Sequence, residues 1–600
     1  MVGSYKFKRP AILRHLFGRR MPSLGVGFLT YHYGYFIITT LVASGILWGA
    51  HNPRGELGYV DALFLSVSAM TLAGLNTVDL SSLNTFQQFI LFLELLLGSS
   101  VFVSIVIVHI RRFAFEKRFA QIAAERNRSG GPSKELAAHG QTPGTNTIEA
   151  APCSVHNDLD ISVHGNPSAI GLHNRSSAGH PDDLNVTQSG TLDHAKVHRS
   201  DLDQQQRFDL GGLEYRAIYL LSWIVPVYFI LWQLLSCISL GAWIATYKAD
   251  VTRANGLNPW WVGAFNTVSA FNNSGMSLLD ANMVAFQDSY FVIVTMSFLI
   301  LAGNTCFPIF LRLILWTLFK ILPENGYFHE TKKALGFLLR HPRRCFTHLF
   351  PPQHTWWLLT AVIFLNGTDW VAFEVLNIGI PEIEKLPLPA RIIDGLFQAL
   401  AIRSGGFYVV PIAATRISLQ ALYVIMMYIG VYPVVITIRR SNEYLYRSLG
   451  IYEGDDEEKA DDDTIYELRQ EKIKPVLGFF TSQLKAQLSH DLWFLILGIW
   501  IIVVIEAKRI EADPRNFSFF NICFEAVSGY GTVGVSTGFP DVNYSFAGEF
   551  KSLSKIVMCF IMMRGRHRGL PISLDKAVQL PSDVCPPSDA EDDNNQLKSN

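Results

Sequence analysis

Eight apolar runs, most of them close to the length that crosses a bilayer, recur along a chain of 600 residues and limit its fold more than any other feature. A spanning helix needs roughly 20 mostly apolar residues. The runs are Tyr35–Ala50, Phe89–Ile110, Ala217–Tyr247, Ser289–Leu318, Trp356–Val375, Leu419–Ile438, Leu492–Ile505 and Phe550–Met563. The last two are short and rely on flanking residues or tilt. Charged residues are 17% of the chain, against a globular norm of roughly 25%. A net charge of −1 lacks the basic excess of a nucleic-acid binder, so no nucleic-acid partner is expected. The seven cysteines form no CxxC pair and no close Cys/His cluster, which weakens metal-site and disulfide-scaffold readings.

The connections between the runs alternate in character. Those after Ala50, Tyr247, Val375 and Ile505 are rich in Phe, Ser, Asn and Gly. The others carry basic clusters: Arg111–Arg112 with Lys117–Arg118, then Arg340, Arg343 and Arg344, then Arg439–Arg440, then Arg564, Arg566 and Arg568. Lys and Arg accumulate on the cytoplasmic side, so both termini and the basic connections are expected inside. No cleavable signal peptide is visible. The expected organisation is a basic cytoplasmic N-terminus (1–34), repeat 1 (35–112), a cytoplasmic insert (113–212), repeat 2 (213–320) and a linker (321–354). Repeat 3 (355–440), a second linker (441–489), repeat 4 (490–570) and a cytoplasmic tail (571–600) complete it. The insert is rich in Ser, His, Asn, Asp and Gly and poor in aromatics, a composition that predicts disorder. The acidic stretch Glu453–Asp463 is expected to be solvated.

Each outer connection contains one related octapeptide. They are Ser68–Leu75, Ser269–Met276, Leu400–Phe407 and Ser528–Val535. Glycine holds the seventh place in all four, at Gly74, Gly275, Gly406 and Gly534, and an apolar residue follows each. Phe64, Phe265, Leu396 and Phe524 share one upstream offset, and Val67, Val268, Ala399 and Val527 share another. The pattern predicts a short helix entering the membrane and a Gly-containing extended stretch returning outward. The fold class expected is therefore all-α and integral to the membrane, with four helix–pore loop–helix units around one central ion pore, as in potassium channels. Irregular backbone at membrane depth is tolerated only where it is buried in protein or lines a water-filled cavity. Rings of carbonyls can replace an ion's hydration shell there, and glycine lets backbone approach closely. The candidate filter is Thr71, Leu72, Ala73 and Gly74; Asn272, Asn273, Ser274 and Gly275; Ser404, Gly405 and Gly406; and Thr532, Val533 and Gly534. The transported potassium would sit at the filter carbonyls, with no other metal and no cofactor.

Several charges stand out. Glu94 and Asp369 lie inside apolar runs, where they either serve the pore or close hydrogen-bond networks between helices. Lys551 and Lys555 are one helical turn apart, and either tune ion occupancy or pair with carboxylates. Asp79, Asp280 and Asp541 follow the candidate filters and either raise the local cation concentration or serve as turns and caps. Arg403 cannot bind a cation and is assigned to bracing its loop. Gly430 and Pro433 weaken the continuity of their run. Asn516 and Asn543 stand in glycosylation sequons.

With these residues in view, the chain resembles the fungal Trk-type potassium transporters, in the superfamily that includes plant HKT and bacterial TrkH and KtrB proteins. The resemblance rests on Thr71–Asp79, Gly212–Ala217, Gly303–Pro308, Tyr428–Pro433 and Arg564–Pro571. It implies high-affinity potassium uptake across the plasma membrane through filter glycines Gly74, Gly275, Gly406 and Gly534. It also implies a multi-pass protein in the lipid bilayer, forming a homodimer or higher homo-oligomer, and a candidate gate at Gly430 and Pro433. Four glycines, with none replaced by serine, favour potassium over sodium within that family. The insert after the second run is shorter than in the best-known yeast members.

The function expected is potassium uptake driven by membrane potential, which supplies about 2.3 kcal/mol per elementary charge per 100 mV. A sodium or mixed sodium–potassium carrier, also passing rubidium, is the nearest alternative. A non-conducting nutrient sensor on the same scaffold is a different class. No GxxxxGK[ST], aspartyl-phosphate signature, Ser/His/Asp set or HExxH motif points to an enzyme.

Overall fold

The computed structural model describes residues 28–51, 57–129, 204–324, 326, 328–438, 441, 476–540 and 542–568. The basic N-terminal cluster, most of the insert, Arg439–Arg440, Glu453–Asp463, Asp541 and the C-terminal tail lie outside them. The chain divides into two units, Met1–Arg118 with Arg207–Asn600, and Phe119–Gln206. Of the second unit only helical ends, 119–129 and 204–206, are described. Every regular element among the described residues is helical.

Helices α1 (Phe28–Gly49) and α2 (Tyr59–Thr71) lead into α3 (Thr85–Leu97) and α4 (Ser100–Ser129). The next set is α5 (Gln204–Tyr247), α6 (Pro259–Asn272), α7 (Tyr290–Gly303) and α8 (Phe307–Ile321). After the linker helices His329–Arg340 and Pro342–Cys345 come α9 (Pro352–Leu376), α10 (Leu388–Leu400) and α11 (Ile417–Ile429). The last set is α12 (Val476–Ala512), α13 (Phe519–Gly531) and α14 (Ser552–His567). Each set thus holds a long helix, a short one and a return.

The short helices α2, α6, α10 and α13 have 13 or 14 residues. At 1.5 Å per residue they reach roughly 20 Å, too little to cross a hydrocarbon core of about 30 Å. Their starts are chemically marked. Asn258 accepts from the Trp260 N–H with Pro259 at the first helical position, Ser518 accepts from the Asn521 N–H, and α10 opens on Leu388-Pro389. The return helix α3 begins at a reciprocal cap in which Asn84 and Gln87 satisfy each other's backbone N–H.

The long helices show apolar side chains outward. Ile37, Ile38, Leu41, Val42 and Ile46 of α1, and Trp223, Val227, Ile230, Leu234 and Ile238 of α5, are exposed. Contiguous apolar surface on this scale marks a face covered by something other than water. By length and composition, Leu213–Tyr247, Pro352–Leu376 and Ile417–Ile438 can each cross a membrane, and two bent pairs also qualify as single spans. Those pairs modify the expected uninterrupted runs. The run Phe89–Ile110 bends by 59° between α3 and α4, and Ser289–Leu318 bends by 84° between α7 and α8. In the second case Asn304 leaves helical geometry and Pro308 stands in the first turn of the new helix, where its missing N–H costs nothing.

The linker between the second and third sets is tied to α4 of the first set and α5 of the second. Arg111 of α4 donates to the Arg344 carbonyl at 2.7 Å and pairs with Glu214 of α5 at 2.8 Å, while Arg344 also pairs with Glu214 at 2.9 Å. Helices α5 and α6 cross at a glycine pair: a Cβ on Gly263 would lie 2.7 Å from both the Gly241 Cα and its nitrogen. Gly263→Val therefore overpacks this crossing and is expected to cost about 1–3 kcal/mol. Heating in detergent followed by size-exclusion chromatography should show earlier loss of the folded peak. Gly367→Ala, which meets nothing within 4 Å, should leave it unchanged.

Candidate functional site

The short helices end in left-handed residues. Leu72, Asn273 and Thr532 hold φ of 60°, 59° and 53°, and each lies fifth in its octapeptide. At these ends the backbone makes paired capping bonds, such as Leu72 N–H to Ala69 O and Ala73 N–H to Ser68 O. A left-handed non-glycine residue costs roughly 1–2 kcal/mol, and such strain at equivalent places points to function. The third copy departs from the others. There a π turn, Ala401–Gly405, continues α10, and the left-handed residue is Gly406 itself at φ 72°.

All four seventh-place glycines have positive φ, 78° at Gly74, 83° at Gly275, 72° at Gly406 and 95° at Gly534. They also meet. A Cβ on Gly74 would overlap the Ser274 carbonyl and lie 3.0 Å from the Gly534 Cα. One on Gly275 would lie 2.5 Å from the Gly406 Cα and 2.9 Å from the Gly405 oxygen. One on Gly406 would overlap the Val533 carbonyl, and one on Gly534 would lie 2.6 Å from the Ala73 oxygen. The contacts run from the first copy to the second, second to third, third to fourth and fourth to first, closing a ring. Each oxygen involved, on Ala73, Ser274, Gly405 or Val533, belongs to the residue just before a ring glycine.

Several side chains of the ring segments turn back to protein. Thr71 Oγ1 donates to Val67 O at 2.6 Å, and Asn272 Nδ2 to Val268 O at 2.9 Å. Asn273 Nδ2 donates to Ile300 O at 3.1 Å, while Ser404 Oγ donates to Asn273 Oδ1 at 3.1 Å and bridges two copies. Leu72, Ala73 and Val533 are apolar and buried. Buried Ser274 Oγ has no hydrogen-bond partner among the described residues, so the ring segments offer this hydroxyl beside their backbone oxygens.

The outer loops are held by polar groups that sequence reasoning missed. Buried Glu525 of α13 accepts from Ser536 Oγ at 2.7 Å and from Ala547 N–H at 3.0 Å. Gln398 of α10 accepts from Val409 N–H at 2.9 Å. Asn76 and Ser545 join the first and fourth loops by three hydrogen bonds, including Ser545 N–H to Asn76 O at 3.0 Å. The available signal for Glu525 and Gln398 was a carboxylate and an amide in the apolar second half of a short helix.

Of the charges singled out, Arg403 is buried and donates through Nη2 to Gly430 O at 3.3 Å. Lys555 pairs with Asp61 at 2.6 Å, and Lys551 Nζ donates to Ile505 O at 2.7 Å. Glu94 accepts from Ser66 Oγ. Neither Asp369 oxygen has a hydrogen-bond partner among the described residues. Gly430 lies at a turn after α11, and Pro433 lies in the helix that resumes beyond it. Asn516 donates its side-chain amide to Asp513 at 2.8 Å.

The family model for TrkH, cation transport protein, matches residues 190–586, about two thirds of the chain. The chain belongs to the TrkH family. It is 42% identical over 402 residues to the low-affinity potassium transport protein of Saccharomyces cerevisiae, covering 64% of this chain and 45% of that one. Identity to the high-affinity potassium transport protein of the same yeast is 40% over 423 residues, covering 64% and 34%. Potassium transport protein 1 of Schizosaccharomyces pombe is 38% identical over 385 residues, covering 64% and 43%. This TrkH-family chain thus spans less than half the length of these relatives. The crystal structure of the potassium transporter TrkH from Vibrio parahaemolyticus aligns with a TM-score of 0.44 at 14% identity, covering 92% of this chain and 85% of that one.

Beside the ring, Ser81 donates to Asp280 at 2.6 Å. Burial, and then the Asp280 charge, push the Asp79 carboxyl above its ordinary value. Asp79 therefore takes up its proton at a higher pH than a free aspartate, and acidification removes a negative charge from this outer loop. Under the transport reading proposed below, uptake should fall as the solution facing this loop is acidified. Asp79→Asn should lower uptake at neutral pH and flatten that pH profile.

Proposed function

We propose that this TrkH-family chain carries potassium inward across the plasma membrane through the glycine ring, driven by membrane potential. The observation that carries the reading is that four separate segments bring a backbone carbonyl each, from Ala73, Ser274, Gly405 and Val533, against neighbouring ring glycines. Carbonyl oxygens that replace a hydration shell are the chemistry of potassium selection. The relatives' names, potassium transport proteins at about 40% identity, support the same ion.

The four helix–loop–helix copies then surround one central path. The short helices end at the ring, and the partial negative charge of their C-termini favours a cation there. A dehydrated ion meets the ring oxygens while the side chains of Asn272, Asn273, Ser404 and Thr71 hold the loops in shape. Arg403 braces the third loop through the Gly430 carbonyl, a bond that supports Gly430 and Pro433 as the gate of that copy. Asp79 concentrates cations at the entrance, and Lys551 and Lys555 set the local field from α14. The exposed apolar faces of α1 and α5 meet lipid, both termini are cytoplasmic, and the protein assembles as a homo-oligomer.

Yeast cells lacking their own potassium uptake should grow at low external potassium, and take up rubidium, when they express this chain. Gly406→Asp places a side chain where the Val533 carbonyl lies and should abolish both at equal surface level. Equal rescue by both forms would remove the ring from the transport path. Rescue that follows external sodium instead would make the chain a sodium carrier.

A further inference from the structure

A second set of four glycines lies behind the ring. A Cβ on Gly98 would overlap the Met70 carbonyl, one on Gly303 that of Phe271, one on Gly430 that of Arg403, and one on Gly565 that of Tyr530. Met70, Phe271 and Tyr530 are all third in their octapeptides. Arg403 is fourth, the one-residue offset expected from the π turn in that copy. In all four copies, then, one glycine of the return helix presses its Cα on a carbonyl at the end of the short helix. That carbonyl stands three or four residues before the ring glycine.

The contact is of a particular kind. The capping bonds at these helix ends use the carbonyls of residues such as Ser68 and Ala69, Ser269 and Ala270, and Ser528 and Gly529. Among the described residues no backbone N–H of the ring segments reaches Met70 O, Phe271 O, Arg403 O or Tyr530 O. Phe271 O accepts from the Asn273 side-chain amide at 3.3 Å. Each of the four oxygens also faces a glycine Cα–H, a weak donor that permits the shortest approach two backbones can make. The return helices also change course here. Gly98 and Gly303 sit at the 59° and 84° bends, and Gly430 at the turn after α11.

We infer that Gly98, Gly303, Gly430 and Gly565 are positioning residues that set the placement of the ring carbonyls, and through it ion selectivity. The inference rests on the transport path proposed above. At all four the nearest atom a methyl group would meet, and displace, is a backbone oxygen; at Gly430 it would also lie 3.2 Å from Arg403 Cγ, and at Gly98, Gly303 and Gly565 the two nearest atoms are all backbone. The displacement is passed within one turn to the ring, whose backbones touch one another and cannot absorb it. Movement of a return helix is transmitted to the ring by the same contact.

The test is rubidium against sodium uptake by cells expressing Gly98→Ala, Gly303→Ala, Gly430→Ala or Gly565→Ala, normalised to protein at the surface. Gly45→Ala and Gly367→Ala, which meet nothing within 4 Å, are the controls. Each ring-supporting variant should lower the rubidium-to-sodium ratio about tenfold, the effect of roughly 1.4 kcal/mol of misplacement, and the controls should not. Gly430→Ala makes the mildest overlap and is expected to reach the surface most readily. Surface-expressed variants with an unchanged ratio would overturn the inference, since a purely structural role lowers amount and not ratio. So would failure of all four to reach the surface where the controls succeed. A wild type that moves neither ion would instead overturn the transport path, and this inference with it.

Discussion

Backbone carbonyls at membrane depth have no water to satisfy them, and lipid offers no substitute. The arrangement found here meets that constraint by burying four irregular segments against one another. The backbones of Gly74, Gly275, Gly406 and Gly534 approach so closely that no side chain fits at any of them. Much of the remaining architecture serves that approach. Short helices deliver the segments to the ring, and left-handed residues turn the chain at their ends. The polar anchors Glu525, Gln398, Asn76 and Ser545 hold the returning loops.

The ring is not fourfold in detail, and its asymmetry has identifiable causes. Three copies turn at their fifth residue, at a cost borne by Leu72, Asn273 and Thr532. The third copy carries Arg403, Ser404 and Gly405 in a π turn, and its left-handed residue is glycine, which adopts that geometry freely. The extra residue brings Arg403 into reach of Gly430, so that loop is braced by a side chain as well as by backbone contact. Ser404 then bridges to Asn273 of the second copy, which itself grips Ile300 of α7. The second and third copies are joined by side chains, the first and fourth by the loops at Asn76 and Ser545.

Much of this was legible in the sequence. The apolar runs, the alternation of connections and the glycine in the seventh place locate the four short helices and the residues that meet. The octapeptides are visible because the ring glycine keeps one register. The supporting glycines do not: Gly98, Gly303, Gly430 and Gly565 follow the ring glycines by 24, 28, 24 and 31 residues, since the outer loops differ in length. No fixed period reveals them. The bends at Gly98 and after Gly303 were hidden by apolar residues on both sides, which read as continuous spans. The π turn leaves no mark in hydrophobic pattern. The bridges Ser404–Asn273 and Lys555–Asp61 join residues 131 and 494 positions apart, which a single sequence cannot pair.

The central claim is that the ring is a route for potassium. Purified protein reconstituted into potassium-loaded liposomes tests it without help from other cell components. Outward potassium leak through the protein should set an inside-negative potential that draws rubidium tracer inward, and replacing internal potassium with sodium should abolish the accumulation. Accumulation no greater than in empty liposomes would contradict the account.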